Sequence, residues 1–250
     1  MDYRSRKSEL AKRAIENNKN MQVRYGENIK SSIARTKVYE RDFKLEMSGD
    51  LPSIKIADLD SVSAIHKYSS ENMAVLNFAS YKFPGGGYMR GSSAQEEDIC
   101  RHSYLYSVIS AFDAMFYEWN RSHTNKGLYM NRGLYSPDII FDNKTSCSVV
   151  TVPAPNKSVM FQHNSFTEEE NSKALAERIK FVVDIASDNN VKTLILGAFG
   201  CGVFKQDPVE VATLFKEALR GSSFEKVVFA IPRGANYKAF KEVFKVWNII

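Results

Sequence analysis

The stretch Met73-Ala-Val-Leu-Asn-Phe-Ala-Ser-Tyr-Lys-Phe-Pro-Gly-Gly-Gly-Tyr-Met-Arg-Gly-Ser-Ser-Ala-Gln-Glu-Glu97 decides how the chain is read. Its first six residues form a short apolar run that ends in polar positions, the pattern of a strand covered on both faces. Three successive glycines, Gly85 to Gly87, let the backbone come close to a ligand and turn several N–H groups toward one point. Seven residues later Gln95-Glu96-Glu97 opens a helical pattern. Strand, glycine loop and helix in succession place these residues where α/β folds hold ligands, beyond the carboxyl end of a strand.

Working outward, Ile54 and Ile56 alternate with polar neighbours, and Cys147–Val152, Val191–Leu196 and Val227–Ile231 are further apolar runs of strand length. Helical spacing joins Leu105, Val108, Ile109, Phe112 and Phe116 within residues 99–119. Thr167 with Glu170 is a capping-box pattern opening a helix that turns Leu175, Ile179, Val182, Val183 and Ala186 to one side. Asp207-Pro208 starts a helix with Val211, Leu214, Phe215 and Leu219 inward, and residues 235–246 form the last, with Phe240, Val243 and Phe244. The first fifty residues read as helical, with Leu10, Ala11, Ala14 and Ile15 as an apolar stripe continued by Val23, Ile29, Ile33 and Val38. Alternating strands and helices with apolar strands predict an α/β/α sandwich.

The 250 residues suffice for a sizeable core. With 44% hydrophobic and 25% charged residues and a mean hydropathy of −0.33, the composition is that of a soluble globular protein. The net charge of +5 is unevenly placed: residues 1–50 carry 12 basic and 8 acidic side chains, the remainder 22 and 21. A nucleic-acid groove across the whole protein is not indicated, and specific nucleic-acid binding is not expected. The longest uncharged apolar segment, Leu194–Phe204, has eleven residues including three glycines, too few to cross a bilayer. Cys100, Cys147 and Cys201 cannot make a disulfide framework, which suits a reducing compartment. With a charged N-terminus lacking an apolar stretch, a cytoplasmic location is expected.

A second glycine cluster, Gly197-Ala-Phe-Gly-Cys-Gly-Val-Phe204, lies between an apolar strand and the helix at Pro208. Backbone N–H groups and a helix N-terminus would face an anion there, although the spacing matches neither the dinucleotide-binding nor the nucleotide-hydrolase loop. On spacing alone, both clusters remain open to a plainer reading: a loop, a tight turn, and a Glu pair favoured at a helix start by the macrodipole. Cys201, in a glycine loop before a helix, is a conceivable nucleophile, but none of the four histidines shows a partner pattern for it. Phe199, Phe204, Tyr81 and Tyr88 flank the loops and are candidates for stacking on a base or ribose. Cys100 and His102 face different ways on a helix and do not suggest a metal pair.

Taken together, Asn77-Phe-Ala-Ser80, Pro84-Gly-Gly-Gly87 and Gln95-Glu96-Glu97 resemble the signature of the bacterial-type poly(ADP-ribose) glycohydrolases, a branch of the macrodomain fold. Leu134–Asp138, Thr151–Asn156 and Gly197–Phe204 resemble further family motifs in the family's order, and Arg13–Tyr39 resembles its helical extension. The resemblance implies a three-layer α/β/α macrodomain-like sandwich with a mixed central sheet. It implies one domain over 1–250, with a helical extension over 1–50 and the macrodomain core over 51–250.

The same resemblance implies cleavage of ribose–ribose O-glycosidic bonds in poly(ADP-ribose), without metal or cofactor. Glu97 would be the catalytic acid, and Glu96 its neighbour at the ribose hydroxyls. Gln95 would support the loop; Asn77, Gly85, Gly86 and Gly87 would hold the distal ribose and diphosphate. Gly200, Cys201, Gly202, Val203 and Phe204 would form the second phosphate loop, with Phe199 beside it. Asp60, with Asp58 as competitor, would contact adenine. Gln206-Asp207-Pro208 departs from the family's usual Asn before Pro, which bears on the shape of the second loop. The expected partners are poly(ADP-ribose) or an ADP-ribosylated protein, with ADP-ribose as product and no membrane. An ADP-ribose-binding module and a mono-ADP-ribosyl hydrolase are the alternatives; the intact carboxylate pair argues against a pure binder.

Overall fold

The computed structural model describes residues 3–40, 49–163 and 165–245. A long helix, α1 (Tyr3–Arg35), opens the chain and bends at Tyr25, whose φ and ψ of −125° and 25° leave the helical region. Strand β1 (Lys37–Tyr39), strand β2 (Ser53–Ala57), helix α2 (Ser61–Lys67) and strand β3 (Met73–Phe78) follow. Beyond the glycine loop stand helices α3 (Gln95–Arg101), α4 (Leu105–Ile109) and α5 (Glu118–Ser122), then strands β4 (Gly133–Ile140) and β5 (Ser146–Val152). Helices α6 (Ser158–His163) and α7 (Glu168–Asp188), strand β6 (Thr193–Leu196), helix α8 (Pro208–Ala218), strand β7 (Lys226–Ala230) and helix α9 (Ala235–Lys245) complete the order.

Among the described residues the strands form one mixed seven-stranded sheet in the order β1-β4-β5-β3-β6-β7-β2. Five strands run parallel, with β3 at the centre between β5 and β6, while β4 pairs antiparallel with both β5 and β1. The pleat sorts side chains between two cores. Ala74, Leu76, Val150, Val152, Leu194 and Leu196 face the layer of α7, α8 and α9. Met73, Val75, Cys147, Val149 and Ile195 face the layer of α1, α2, α3 and α4. Period-two alternation inside runs that are apolar throughout is what a sheet covered on both faces requires.

Three sequence expectations need correction. The helix expected over 99–119 is broken into shorter pieces. Ser103 pairs by backbone with Phe141 and its Oγ accepts from the Leu105 N–H, ending one helix and starting the next. A π-helical turn, Asp113–Tyr117, interrupts again before α5. The helical first fifty residues end at Arg35 and give way to β1; residues 41–48 lie outside the described residues. The proposed stripe is also discontinuous, since Ile15 and Val23 are exposed while Ala14, Met21 and Ile29 are buried. The capping box at Thr167 and Glu170 and the Asp207 cap with Pro208 are present as expected. The last helix is described to Lys245, so Val246 lies outside the described residues.

Helix α1 packs on the layer that carries the glycine loop. Asn17 Nδ2 donates to the Tyr88 hydroxyl at 3.1 Å and to the Arg101 carbonyl at 3.0 Å. Ser32 Oγ donates to the Pro137 carbonyl at 2.8 Å, fixing the other end of the helix beside β4. At Gly91 the loop meets the helix so closely that a Cβ would lie 2.0 Å from the Lys7 carbonyl oxygen.

Candidate active site

Helix α3 begins where β3 ends, and Gln95 straps the two together. Its Oε1 accepts from the Phe78 N–H at 2.8 Å, while its Nε2 donates to the Leu76 carbonyl at 2.8 Å and to Ser61 Oγ at 3.0 Å. One amide side chain therefore satisfies backbone groups that the strand leaves open at its carboxyl end.

Glu96 and Glu97 follow on the first turn of α3, and both are buried. Glu96 Oε2 accepts from the Ser80 N–H at 2.7 Å, and Oε1 from Asn77 Nδ2 at 3.3 Å. Burial pushes the Glu96 carboxyl up to about 8; the Ser80 N–H opposes the rise and the neighbouring Glu97 adds to it. Glu97 accepts from the Gly87 N–H on Oε1 and from the Ala94 N–H on Oε2, both at 2.8 Å. The second bond is the helix-start contact of an acidic residue reaching back to its cap.

The two carboxyl groups converge on Gly86. A Cβ there would lie 2.7 Å from Glu97 Oε1 and 2.8 Å from Glu96 Oε2, and its φ of +58° is a conformation glycine adopts readily. The glycine triplet is thus what allows two buried carboxyl groups to share one wall of a cavity. That cavity, of about 800 Å³, is bounded by Gly86, Glu96 and Glu97 on one side and by Gly200, Val203 and Phe204 on the other.

The second loop leaves β6 and turns through Gly200, whose φ is +75° and whose Cβ would meet Ala154 and Gln206, each at 2.9 Å. Gln206, the point of departure from the family's pattern, is buried and exchanges two amide hydrogen bonds of 2.9 Å with Asn171; its Nε2 also donates to the Pro155 carbonyl at 2.9 Å. Asp207 caps α8 by accepting from the N–H groups of Val209 and Glu210. The loop is therefore anchored and capped without the Asn.

Not every candidate joins the cavity wall. Asn77 is fully buried beneath Glu96 and donates also to Thr151 Oγ1 at 3.3 Å; its Oδ1 has no hydrogen-bond partner among the described residues. Phe199, expected beside a ligand ring, is fully buried between Phe78 and Phe215. Tyr81 and Tyr88 are also in the interior, their hydroxyls bonded to the His123 and Ala14 carbonyls, and are not free to stack on a ligand. Burial pushes the Cys201 thiol up to about 12, the reverse of an activated nucleophile. Between the competing aspartates, Asp60 borders the cavity and caps α2 through Ser63, whereas Asp58 is held by Arg233, with Nε 2.6 Å from Oδ2. Burial raises the Asp60 carboxyl, but the Ser63 hydrogen bonds outweigh it and leave the carboxyl below its usual range. Among the described residues no three His, Cys, Asp or Glu side chains stand together as metal ligands.

The sequence reading missed the turn after β7. Pro232, Arg233 and Asn236 also line the cavity. A Pro-Arg-Gly turn between an apolar strand and a helix was the available signal, by the same logic that singled out the glycine loops.

Comparison with known proteins bears on this arrangement. Residues 5–143, more than half of the chain, match the family model for the microbial-type PARG catalytic domain. No curated protein matches the chain. Among solved structures, the poly(ADP-ribose) glycohydrolase of Thermomonospora curvata is similar at 26% identity and a TM-score of 0.83, over 95% of this chain and 100% of that one. The same enzyme bound to the inhibitor ADP-HPD gives 26% and 0.81, again over 95% and 100% of the two chains. The poly(ADP-ribose) glycohydrolase of Deinococcus radiodurans in complex with ADP-ribose is 29% identical, with a TM-score of 0.78 over 88% of this chain and 98% of that one. With the fold, the paired carboxyl groups and the two glycine loops in place, the chain belongs to the microbial-type poly(ADP-ribose) glycohydrolase (PARG) family, whose catalytic domain it carries.

Proposed function

We propose that the chain hydrolyses ribose–ribose O-glycosidic bonds of poly(ADP-ribose) with Glu97 as general acid and base, releasing ADP-ribose. The observation that supports this most is the meeting of Glu96 and Glu97 at Gly86, on the wall of a cavity also lined by Gly200 and Phe204. Membership in a glycosidase family, and solved relatives in complex with ADP-ribose or ADP-HPD, support the substrate class.

Glycosidic cleavage passes through an oxocarbenium-like centre, and protonating the departing oxygen contributes on the order of 10²–10⁴-fold. Each Glu97 oxygen accepts one backbone hydrogen bond and keeps a second lone pair, on which the proton can reside. Glu97 gives that proton to the leaving ribose oxygen as the anomeric C–O bond breaks. The resulting carboxylate then takes a proton from water as the water oxygen bonds to the anomeric carbon, which restores the acid. Glu96 is held neutral near neutral pH by its burial, so it adds no negative charge beside the anionic substrate.

The loop 200–204 would present backbone N–H groups to the diphosphate, while Gly85–Gly87, whose own N–H groups are engaged within the protein, would let the ligand come close to the carboxyl pair. Asp60 would meet the adenine, and Phe204 would pack on the ligand. Asn77 acts from beneath by holding Glu96. The helical extension and the core form one functional unit in this reading, joined at Asn17 and Tyr88. Three free cysteines support a reducing, cytoplasmic setting, and among the described residues no helix is long and apolar enough to cross a membrane.

The test is incubation with defined poly- and mono-ADP-ribosylated substrates, for the parent protein and for Glu97→Gln. Release of ADP-ribose from polymer by the parent, with turnover lost and ADP-ribose binding retained in Glu97→Gln, is the expected result. Undiminished turnover in that variant would sink the role of Glu97. Binding without release by the parent would make the protein a reader of ADP-ribose, and release from mono-ADP-ribosylated protein alone would change the substrate.

A further inference from the structure

The turn between α5 and β4 holds the densest run of left-handed backbone among the described residues. Asn125, Lys126, Gly127 and Tyr129 have φ values of 43°, 55°, 106° and 61°. A bulky aromatic residue in the left-handed region is an outlier that persists only where its surroundings hold it, and such residues cluster at functional sites. Here the hold is extensive. The Tyr129 N–H donates to the Thr124 carbonyl at 3.2 Å, and the Asn156 N–H donates to the Gly127 carbonyl at 2.8 Å. The buried Arg178 reaches in from α7, donating through Nη2 to the Leu128 carbonyl at 3.3 Å and through Nε to Asn131 Oδ1 at 2.7 Å.

What this arrangement holds in place is the Tyr129 ring. One face stacks on Tyr81, with centroids 4.2 Å apart and planes 12° from parallel. The ring also meets Phe204, with centroids 6.3 Å apart and planes at 60°. Tyr81 belongs to the first loop and immediately follows Ser80, whose N–H holds Glu96. Phe204 belongs to the second loop and lines the cavity. Tyr81 is itself fixed, its hydroxyl donating to the His123 carbonyl at 2.8 Å and its carbonyl accepting from Asn120 Nδ2 at 3.0 Å.

We infer that Tyr129 is a positioning residue that sets the separation of the two ligand loops by standing between Tyr81 and Phe204. The ring, rather than the hydroxyl, is the working part, since both contacts are made by the aromatic faces and edge. Tyr129 does not border the cavity, and its effect reaches the ligand through Phe204. The inference rests on the proposed ADP-ribose site and deepens it by naming what fixes the shape of that site.

Calorimetric titration with ADP-ribose and steady-state hydrolysis of poly(ADP-ribose) test it on Tyr129→Phe and Tyr129→Leu, with thermal melts of each. Losing an aromatic pair is expected to raise the ADP-ribose Kd and the KM of Tyr129→Leu about tenfold, with kcat little changed. Tyr129→Phe, which keeps the ring, is expected to bind as the parent does. A merely structural residue would lower the melting temperature without this split between KM and kcat. Should Tyr129→Leu fail to fold, Tyr129→His, with a smaller planar ring, carries the comparison and is expected to bind more weakly than the parent. Parental affinity in the Leu variant, or in the His variant where that stands in, overturns the inference, as does a Phe variant as weak as Leu. If the parent itself neither binds ADP-ribose nor cleaves the polymer, the proposed function has failed; if the parent does both and the ring-altered variant matches it, this inference alone has failed.

Discussion

Asn171 and Gln206 exchange two amide hydrogen bonds of 2.9 Å inside the protein, and this pair ties the second glycine loop to α7. The Gln206 N–H also donates to the Gly200 carbonyl at 3.1 Å, closing the loop on itself. The pair is buried, so neither amide has water to replace its partner.

Gln206→Ala leaves the Asn171 amide buried and unpaired. Such a loss costs about 1–3 kcal/mol, which lowers the melting temperature by a few degrees for each kcal/mol. Replacing both residues by Leu is expected to cost less than the two single changes added together, because neither amide is then stranded and only the Pro155 carbonyl loses its partner. A thermal double-mutant cycle measures this, and additive losses would refute the coupling.

Gly86→Ala strikes at the convergence of the two carboxyl groups. The left-handed backbone penalises a side chain by about 1–2 kcal/mol, and the Cβ cannot be placed without displacing Glu96 or Glu97. A displacement of that kind is expected to reduce kcat about 100-fold. Single-turnover kinetics on polymer check it, and unchanged turnover would mean that the carboxyl positions are not critical.

Glu96→Gln should change how stability depends on pH. The folded carboxyl is raised from an ordinary 4.5 to about 8, so the folded state holds a proton that the unfolded chain releases within that window. This contribution is complete below the unfolded value and is lost as pH rises through about 8. Melting curves from pH 4 to 9, at about one-unit steps, are expected to show the parent losing stability with rising pH more steeply than Glu96→Gln. Parallel curves would show that Glu96 ionises as readily folded as unfolded.

Asn17→Leu removes the two hydrogen bonds that α1 makes to Tyr88 and to the end of α3. The expected cost is about 1–2 kcal/mol of stability, accompanied by a lower kcat, because the loop on Tyr88 also supplies the Gly87 N–H to Glu97. Thermal melts and polymer hydrolysis on the same preparation read both effects. A melting-temperature loss with kcat unchanged would confine α1 to a scaffolding role.

Four of the five parallel strands could be read from the sequence because strands covered on both faces are apolar along their length, as in Met73–Leu76 and Val227–Phe229, and the edge strand β2 from the alternation of Ile54 and Ile56 with polar neighbours. Strand β4 escaped that reading. Pro137 interrupts it, Asp138 takes a φ of 55°, and the register shifts between Ser136 and Ile139. Strand β1 has only three residues, and its pairing with β4 is a long-range event that no local pattern announces. At the site, the glycine spacing and the Glu pair were legible because the chemistry lies in adjacent residues. The contributions of Pro232, Arg233 and Asn236 were not, since the sheet brings them from the far end of the chain. The aromatics misled for a related reason: flanking a loop says nothing about which way a ring turns, and Phe199 and Tyr81 turn inward.

Gly91 meets the Lys7 carbonyl, so the glycine loop and the first helix touch main chain to main chain. A contact of that kind does not depend on which side chains the helix displays to solvent. The outer face of α1 is therefore free to change its charge while the loop keeps its wall. Residues 3–35 carry nine basic and three acidic side chains, a surplus whose sign the carboxyl groups at Gly86 do not need.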